Sequence, residues 1–228
     1  MKRALLSLLF AAAASSVALG QTPARGVEVV DRMVAVVNGR ELITYSDLLW
    51  QLALQPGVPL DSPRQEDLRR ALDLLVDQRL IAQEAGKLPS VAPTEKEIEE
   101  ELKRLIGFFN PQSEFYSRLS RVGLGESSAQ LREIVQERVR IQKYLDFRFR
   151  SFTVVTPQEI EAYYRDVYVP RRRRQSPGQI IPELKTVFDE LKKELIENKI
   201  ESDTDDFLEE ARAAAQITIL DETLRGGG

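Results

Sequence analysis

An Asn-Gly pair at positions 38 and 39 separates Met33-Val34-Ala35-Val36-Val37 from Arg40-Glu41-Leu42-Ile43-Thr44. Two β-prone runs joined by Asn-Gly make a tight hairpin, because both turn residues must take positive φ. A lone two-stranded ribbon is marginal in water, so it needs a third strand or a packed helix. The chain offers one other short β-type run, Ile217-Thr218-Ile219-Leu220, near its far end. The economical expectation is that this run pairs with the hairpin, so that roughly residues 180–220 fold back onto residues 30–55. The fold class expected is mainly α with a small β-sheet, the N-terminal hairpin being joined by the C-terminal strand.

Between these β elements the apolar residues recur at helical spacing. Tyr45, Leu48, Leu49 and Leu52 form one face of a helix starting near Ser46 and stopped by Gln55-Pro56-Gly57. A second helix has Ser62 as N-cap, Pro63 at its first position and Gln65 closing a capping box. Thr94 with Glu97 opens a third, and Asn110-Pro111 breaks it. Residues 113–121 and 127–150 read as a short and a long helix, and Thr156-Pro157-Gln158-Glu159 caps another. Residues 170–182, with Arg171 to Arg174, Pro177 and Gly178, read as a basic loop. Leu184 to Leu195 restart a helix, Glu201 to Asp206 form a polar break, and a shorter helix covers 207–215.

The chain contains no Cys and no His. This excludes disulfide scaffolds, thiolate nucleophiles, Ser-His-Asp and Cys-His hydrolases, and His- or Cys-ligated metals. Neither a P-loop nor a complete dinucleotide-binding glycine motif is present, and no cofactor is expected. Glu97, Glu99, Glu100 and Glu101 read as a solvated helix face. The first twenty residues have the form of a cleavable secretory signal: Lys2 and Arg3, an apolar run over 5–14, and Ala18-Leu19-Gly20 before Gln21. Export to the periplasm is the expectation. Losing Lys2 and Arg3 makes an acidic chain more acidic, which argues against a nucleic-acid partner, and no further stretch is long and apolar enough to span a membrane.

Eleven of the sixteen aromatic residues lie between 108 and 168. Core packing is the ordinary role for such side chains. However, Phe108-Phe109 and Phe115-Tyr116 are adjacent pairs, and neighbours on a helix cannot both point into one core stripe. One of each pair is expected to face a cleft. Phe108, Phe109, Phe115, Tyr116, Tyr163 and Tyr164 are the candidate binding residues. Charge is segregated too: residues 131–174 carry 11 basic and 6 acidic side chains, and 183–214 carry 5 and 11. These are either two solvated faces or segments that attract each other across a cleft.

Several stretches, in order, resemble one family. Val30-Asp31-Arg32-Met33-Val34-Ala35-Val36-Val37-Asn38-Gly39 with Ile43-Thr44-Tyr45-Ser46-Asp47-Leu48 looks like the opening of the SurA-type periplasmic chaperones. Leu74 to Ile81 with Glu84-Ala85, the Glu159-Ile160-x-x-Tyr163-Tyr164 core, and Phe207-Leu208 with Ala211-Arg212 and Ile217 to Leu220 resemble later pieces of the same family. These chaperones are related to parvulin-linked foldases and share architecture with the client-binding region of trigger factor. In many relatives a parvulin prolyl isomerase domain stands where residues 170–182 stand here, and its histidine-bearing motif has no counterpart. The resemblance implies a chaperone module without a catalytic domain.

The organisation expected is a signal peptide over 1–20, a leader over 21–29, and a helical chaperone domain over 30–169. The basic loop at 170–182, C-terminal helices and strand over 183–221, and a flexible tail at 222–228 complete it. The function expected is ATP-independent binding of unfolded or extended polypeptides, outer-membrane protein precursors among them, through an apolar, aromatic-edged cleft. A structural or assembly protein with one dedicated partner, and a prolyl isomerase-type foldase with weak or no activity, are the rival readings.

Overall fold

The computed structural model describes residues 31–225. The signal and leader segments read from the sequence lie outside these residues, as does the end of the tail. The architecture is mainly helical with one three-stranded antiparallel sheet. Strand β1 (Met33–Val37) is central, flanked by β2 (Glu41–Thr44) and β3 (Ile217–Ile219). Val36 pairs with Leu42 on one side and with Thr218 on the other. The expected fold-back is therefore present. The hairpin turn has the expected form, with φ of 52° at Asn38 and 67° at Gly39.

Helices α1 (Tyr45–Ala53), α2 (Gln65–Ala85), α3 (Glu95–Gly107), α4 (Ser113–Arg121) and α5 (Ala129–Leu145) come next in the chain. The main core gathers Val34, Ile43, Leu48, Leu52, Leu72, Leu105, Phe115 and Leu119 between the sheet and these helices. A buried arginine from α4 caps α1: Arg118 Nη2 donates to the Leu52 carbonyl at 2.8 Å and Nε to that of Ala53 at 3.0 Å. A helix end leaves its last carbonyls without intrahelical donors, and Arg118 supplies two. Burial holds this guanidinium below its usual pKa.

Beyond α5 the chain runs through a π-helical turn, Asp146–Arg150. It then forms α6 (Pro157–Tyr163), a second π turn (Tyr164–Tyr168) and α7 (Val169–Gln175). The last helix, α8 (Leu184–Ala214), has 31 residues, of which only Val187 and Leu191 are fully buried. It joins two separate clusters. Its first half packs Val187 and Leu191 with Ile160 and Tyr168, and its second half brings Phe207 and Leu208 against Tyr144 and Ile141. Arg212 Nε donates to Asp77 at 2.5 Å and pins the far end to α2. The basic and acidic segments meet at two forked pairs, Arg150 with Glu197 and Arg171 with Glu194.

Four expectations are corrected. Residues 170–182 are not all loop: α7 covers the arginines, continuing the helix directly from the π turn before Pro170, and arginine is a good helix former. Glu201 to Asp206 do not break α8, since they contain neither Gly nor Pro and the helix is anchored on either side of them, by Leu191 and by Arg212. Helix α2 starts at Gln65 rather than at a Ser62 cap, with Arg64 holding the buried Asp67 at 2.8 Å. The segment read as a flexible tail begins with a helical turn, Glu222–Leu224, whose Leu224 is buried in the main core.

Candidate functional site

The six aromatic residues singled out from the sequence do not form one site. Phe109 and Phe115 are buried and meet edge to face at 5.3 Å. Tyr116 packs on Phe115 at the same distance, half-buried against the main core. Phe109 and Phe115 are therefore core rather than cleft residues: α4 packs on α1 and turns Phe115 inward, and Phe109, in the turn after α3, meets that ring. Phe108 does face outward, 55% exposed beneath the Arg104 guanidinium. The expectation that one ring of each pair faces out holds for Phe108 and Phe109, where the outward ring stands alone, and not for Phe115 and Tyr116, which both pack on the main core. Tyr163 and Tyr164 belong to the distant cluster under α8. The Tyr163 hydroxyl donates to Glu194 and that of Tyr164 to the Pro182 carbonyl, both at 2.9 Å. Burial, reinforced by Glu194, pushes the Tyr163 phenol up. These two tyrosines brace α6 and its π turn against the start of α8 and its approach.

Apolar surface is instead open along the second half of α8. Two cavities of about 510 and 350 Å³ share Arg148 as a wall. Lys199 and Asp203 line the first, and Phe207, Ala211 and Ala214 line the second. This spacing of three and four residues is a single face of α8. The opposite wall comes from Phe149, Phe152 and Val154 at one end and from Leu80, Gln83 and Asn38 at the other. Fifteen helical steps of about 1.5 Å make a trough of about 22 Å, enough for six or seven residues of extended chain at about 3.4 Å each.

Arg148 divides the trough and is fixed there by stacking. Its guanidinium lies 4.6 Å from the Phe207 ring centre and 5.5 Å from that of Phe149, with Nη1 3.3 Å from the Tyr144 hydroxyl. Among the described residues it has no carboxylate partner. The π turn produces this arrangement. Its widened bond, Ser151 N–H to the Asp146 carbonyl at 3.1 Å, rotates the segment after it relative to α5. Phe152 and Val154 are left 73% and 72% exposed, while Val155 turns inward and is buried. The segment is ordered by Lys199, which donates to the Val154 carbonyl at 3.0 Å and to Glu159 at 2.6 Å. That lysine and the Thr156 cap hold the Glu159 carboxyl at about 2.

A second cleft, of about 370 Å³, lies between α1, α2, α3 and α5. Gln51, Gln55, Gln78 and Gln142 line it beside Leu74 and Ile141, with Glu101, Arg104 and Arg138 at its rim. Among the described residues no cluster of His, Cys, Asp or Glu could hold a metal ion, and no helix is long and apolar enough to cross a membrane.

In the sequence Phe149 and Phe152 belong to the aromatic concentration but not to the candidate binding residues. The available signal was Phe152-Thr153-Val154-Val155, an apolar run placed directly before the N-cap Thr156. Compared with known proteins, the chain matches no family model and no curated protein.

Proposed function

We propose that the chain is an exported, ATP-independent chaperone of the SurA-like type that holds extended polypeptide in the trough along α8. The exposure of Phe152 and Val154 at the mouth of the trough carries this reading. Two large apolar side chains held out in an ordered segment stabilise nothing within the chain. They gain only when another apolar surface covers them. The Ala211 and Ala214 floor leaves room for side chains of varied size, and the charged rim formed by Asp203, Glu210 and Arg148 keeps contact weak and reversible. Unfolded outer-membrane protein precursors fit this chemistry, and no nucleotide or metal is required. The chain acts as a binding module, without prolyl isomerase activity.

The test is suppression of aggregation of a urea-denatured outer-membrane protein by stoichiometric amounts of the folded chain. The chain has no cysteine of its own, so Phe152→Cys carrying a photo-crosslinker reports contact at one place. Suppression with crosslinking to several unrelated unfolded proteins supports the proposal. Absence of suppression by folded protein, or crosslinking to one dedicated partner alone, overturns it.

A further inference from the structure

The opposite half of the α8 assembly carries a surface that holding polypeptide does not use. Residues 165–182 contain five arginines and one acidic residue, Asp166. Two of the arginines are engaged internally, Arg165 with Asp166 at 2.7 Å and Arg171 with Glu194 at 2.5 Å. Arg172, Arg173 and Arg174 form no ion pair among the described residues. Arg172 rests 6.0 Å from the Tyr168 ring centre, and Arg173 and Arg174 are exposed.

The turn after α7 is built rather than loose. Ser176 N–H donates to the Arg172 carbonyl at 2.9 Å, and Gln179 N–H to that of Ser176 at 3.3 Å. Gly178 supplies the left-handed φ of 82°, which a side chain would strain. The Tyr164 hydroxyl ties down the Pro182 carbonyl at the exit. Ile181 turns inward, against the cluster around Leu191. Its neighbour Ile180 is left 95% exposed, more than any other large apolar side chain among the described residues.

We propose that this tip docks on an anionic lipid bilayer, with Arg172, Arg173 and Arg174 against the headgroup phosphates and Ile180 entering the acyl boundary. Two observations together select a bilayer. Unpaired arginines alone would suit any phosphate, but a soluble phosphate gives Ile180 no apolar medium. The acidic stretch of α8 in a second copy, Glu201 to Glu210, would satisfy the arginines and offers Ile180 mainly carboxylates. A bilayer presents negative charge and, a few ångströms deeper, hydrocarbon. The acidic stretch starts 17 residues beyond Leu184, about 25 Å along the helix. That run lies beyond the Debye length of about 8 Å at physiological salt, and nearer the tip Glu183 is paired with Lys185 and Glu194 with Arg171, which leaves Asp189 and Glu190 as the nearby opposing charges against Arg172, Arg173 and Arg174.

Each arginine near such a surface strengthens binding about fivefold, so three give on the order of a hundredfold, and a buried isoleucine adds about tenfold or more. Attachment should be reversible and salt-sensitive. It does not depend on the chaperone reading, since the trough lies on the other half of α8.

The experiment is co-sedimentation of the whole chain with phosphatidylcholine vesicles, with and without phosphatidylglycerol. Binding is expected only with the anionic lipid. It should fall about a hundredfold in the combined Arg172→Gln, Arg173→Gln, Arg174→Gln variant and about tenfold in Ile180→Ser, with aggregation suppression unchanged in both. Equal binding to both vesicle types, full binding by Ile180→Ser, displacement by inorganic phosphate at matched ionic strength, or self-association in place of vesicle binding would each overturn it. Ile180 touches nothing that its replacement could unfold, so that variant decides the question even if the triple variant folds poorly.

Discussion

Asn38 and Gln216 are joined by two hydrogen bonds. The Asn38 backbone N–H donates to the Gln216 carbonyl at 2.8 Å, and the Asn38 side-chain oxygen accepts from the Gln216 N–H at 3.0 Å. The same side chain donates to Gln83 at 2.7 Å. One residue therefore makes the left-handed turn, starts the β1–β3 pairing and fastens both to α2.

Two substitutions separate these roles. Asn38→Gly keeps the turn and loses the side-chain bonds, and is expected to lower stability by about 1 kcal/mol. Asn38→Ala also forces a side chain into left-handed backbone, adding about 1–2 kcal/mol. Urea denaturation midpoints measure the difference, and equal effects would show that the turn is not the constraint.

Deleting residues 216–228 removes β3 together with the buried Leu224. A large drop in melting temperature is expected, because β1 loses its second partner and the core is opened. An unchanged melt would contradict the role assigned to the third strand.

Arg118→Met should destabilise the fold by about 1–3 kcal/mol, since it orphans the Ala53 carbonyl in a buried site and leaves that of Leu52 with the Gln55 N–H at 3.1 Å. Arg118→Lys should recover only part, because one ammonium lacks the fork that reaches both. Equilibrium unfolding of the two variants distinguishes this cap from simple packing, for which Met would suffice.

Glu97 and Glu159 share one device. Each is the third residue of a threonine capping box, and each takes a lysine from another helix, Lys143 or Lys199. The lysines, together with Thr94 and Thr156, hold both carboxyls at about 2, against 4.5 ordinarily. Folded values below unfolded ones stabilise above about pH 4.5, and that contribution is lost as pH falls towards 2. Thermal melts should decline over this window. Lys143→Met with Lys199→Met should flatten the decline; an unaltered profile would assign acid sensitivity elsewhere.

Replacing Phe152 and Val154 together by serine should weaken client holding several-fold with little change in melting temperature, because neither side chain is buried. Aggregation kinetics and a melt on the same sample check both halves. Loss of stability in step with activity would make them core residues instead.

The fold was largely legible because its signals are local or symmetric. Asn38-Gly39 announces a turn by backbone sterics, and Thr94-x-x-Glu97 and Thr156-x-x-Glu159 announce helix starts by their reciprocal bonds. The β3 pairing was readable because a hairpin needs a third partner and few runs were available. What failed depended on tertiary context. Residues 201–206 are polar enough to suggest a break, yet a helix anchored at both ends, by Leu191 and by Arg212, carries them across. Spacing could say that only one of Phe108 and Phe109 faces out, not that the outward ring has no companions. The trough was missed because it depends on a π turn, and nothing in Asp146–Arg150 distinguishes a widened turn from ordinary α-helix in advance.

The sheet order β2–β1–β3 also sets a timetable. The hairpin closes over a loop of a few residues, whereas β3 must cross about 180. In a flexible chain that closure costs about 3 kcal/mol more. The helices between can condense from neighbouring contacts and carry the last strand towards its slot as a nearly rigid body. Until residue 217 has emerged, one edge of β1 has no partner and is free to pair with any passing strand. A molecule whose proposed work is to shield unfinished chains thus passes through such a state itself, and leaves it only when its final strand is made.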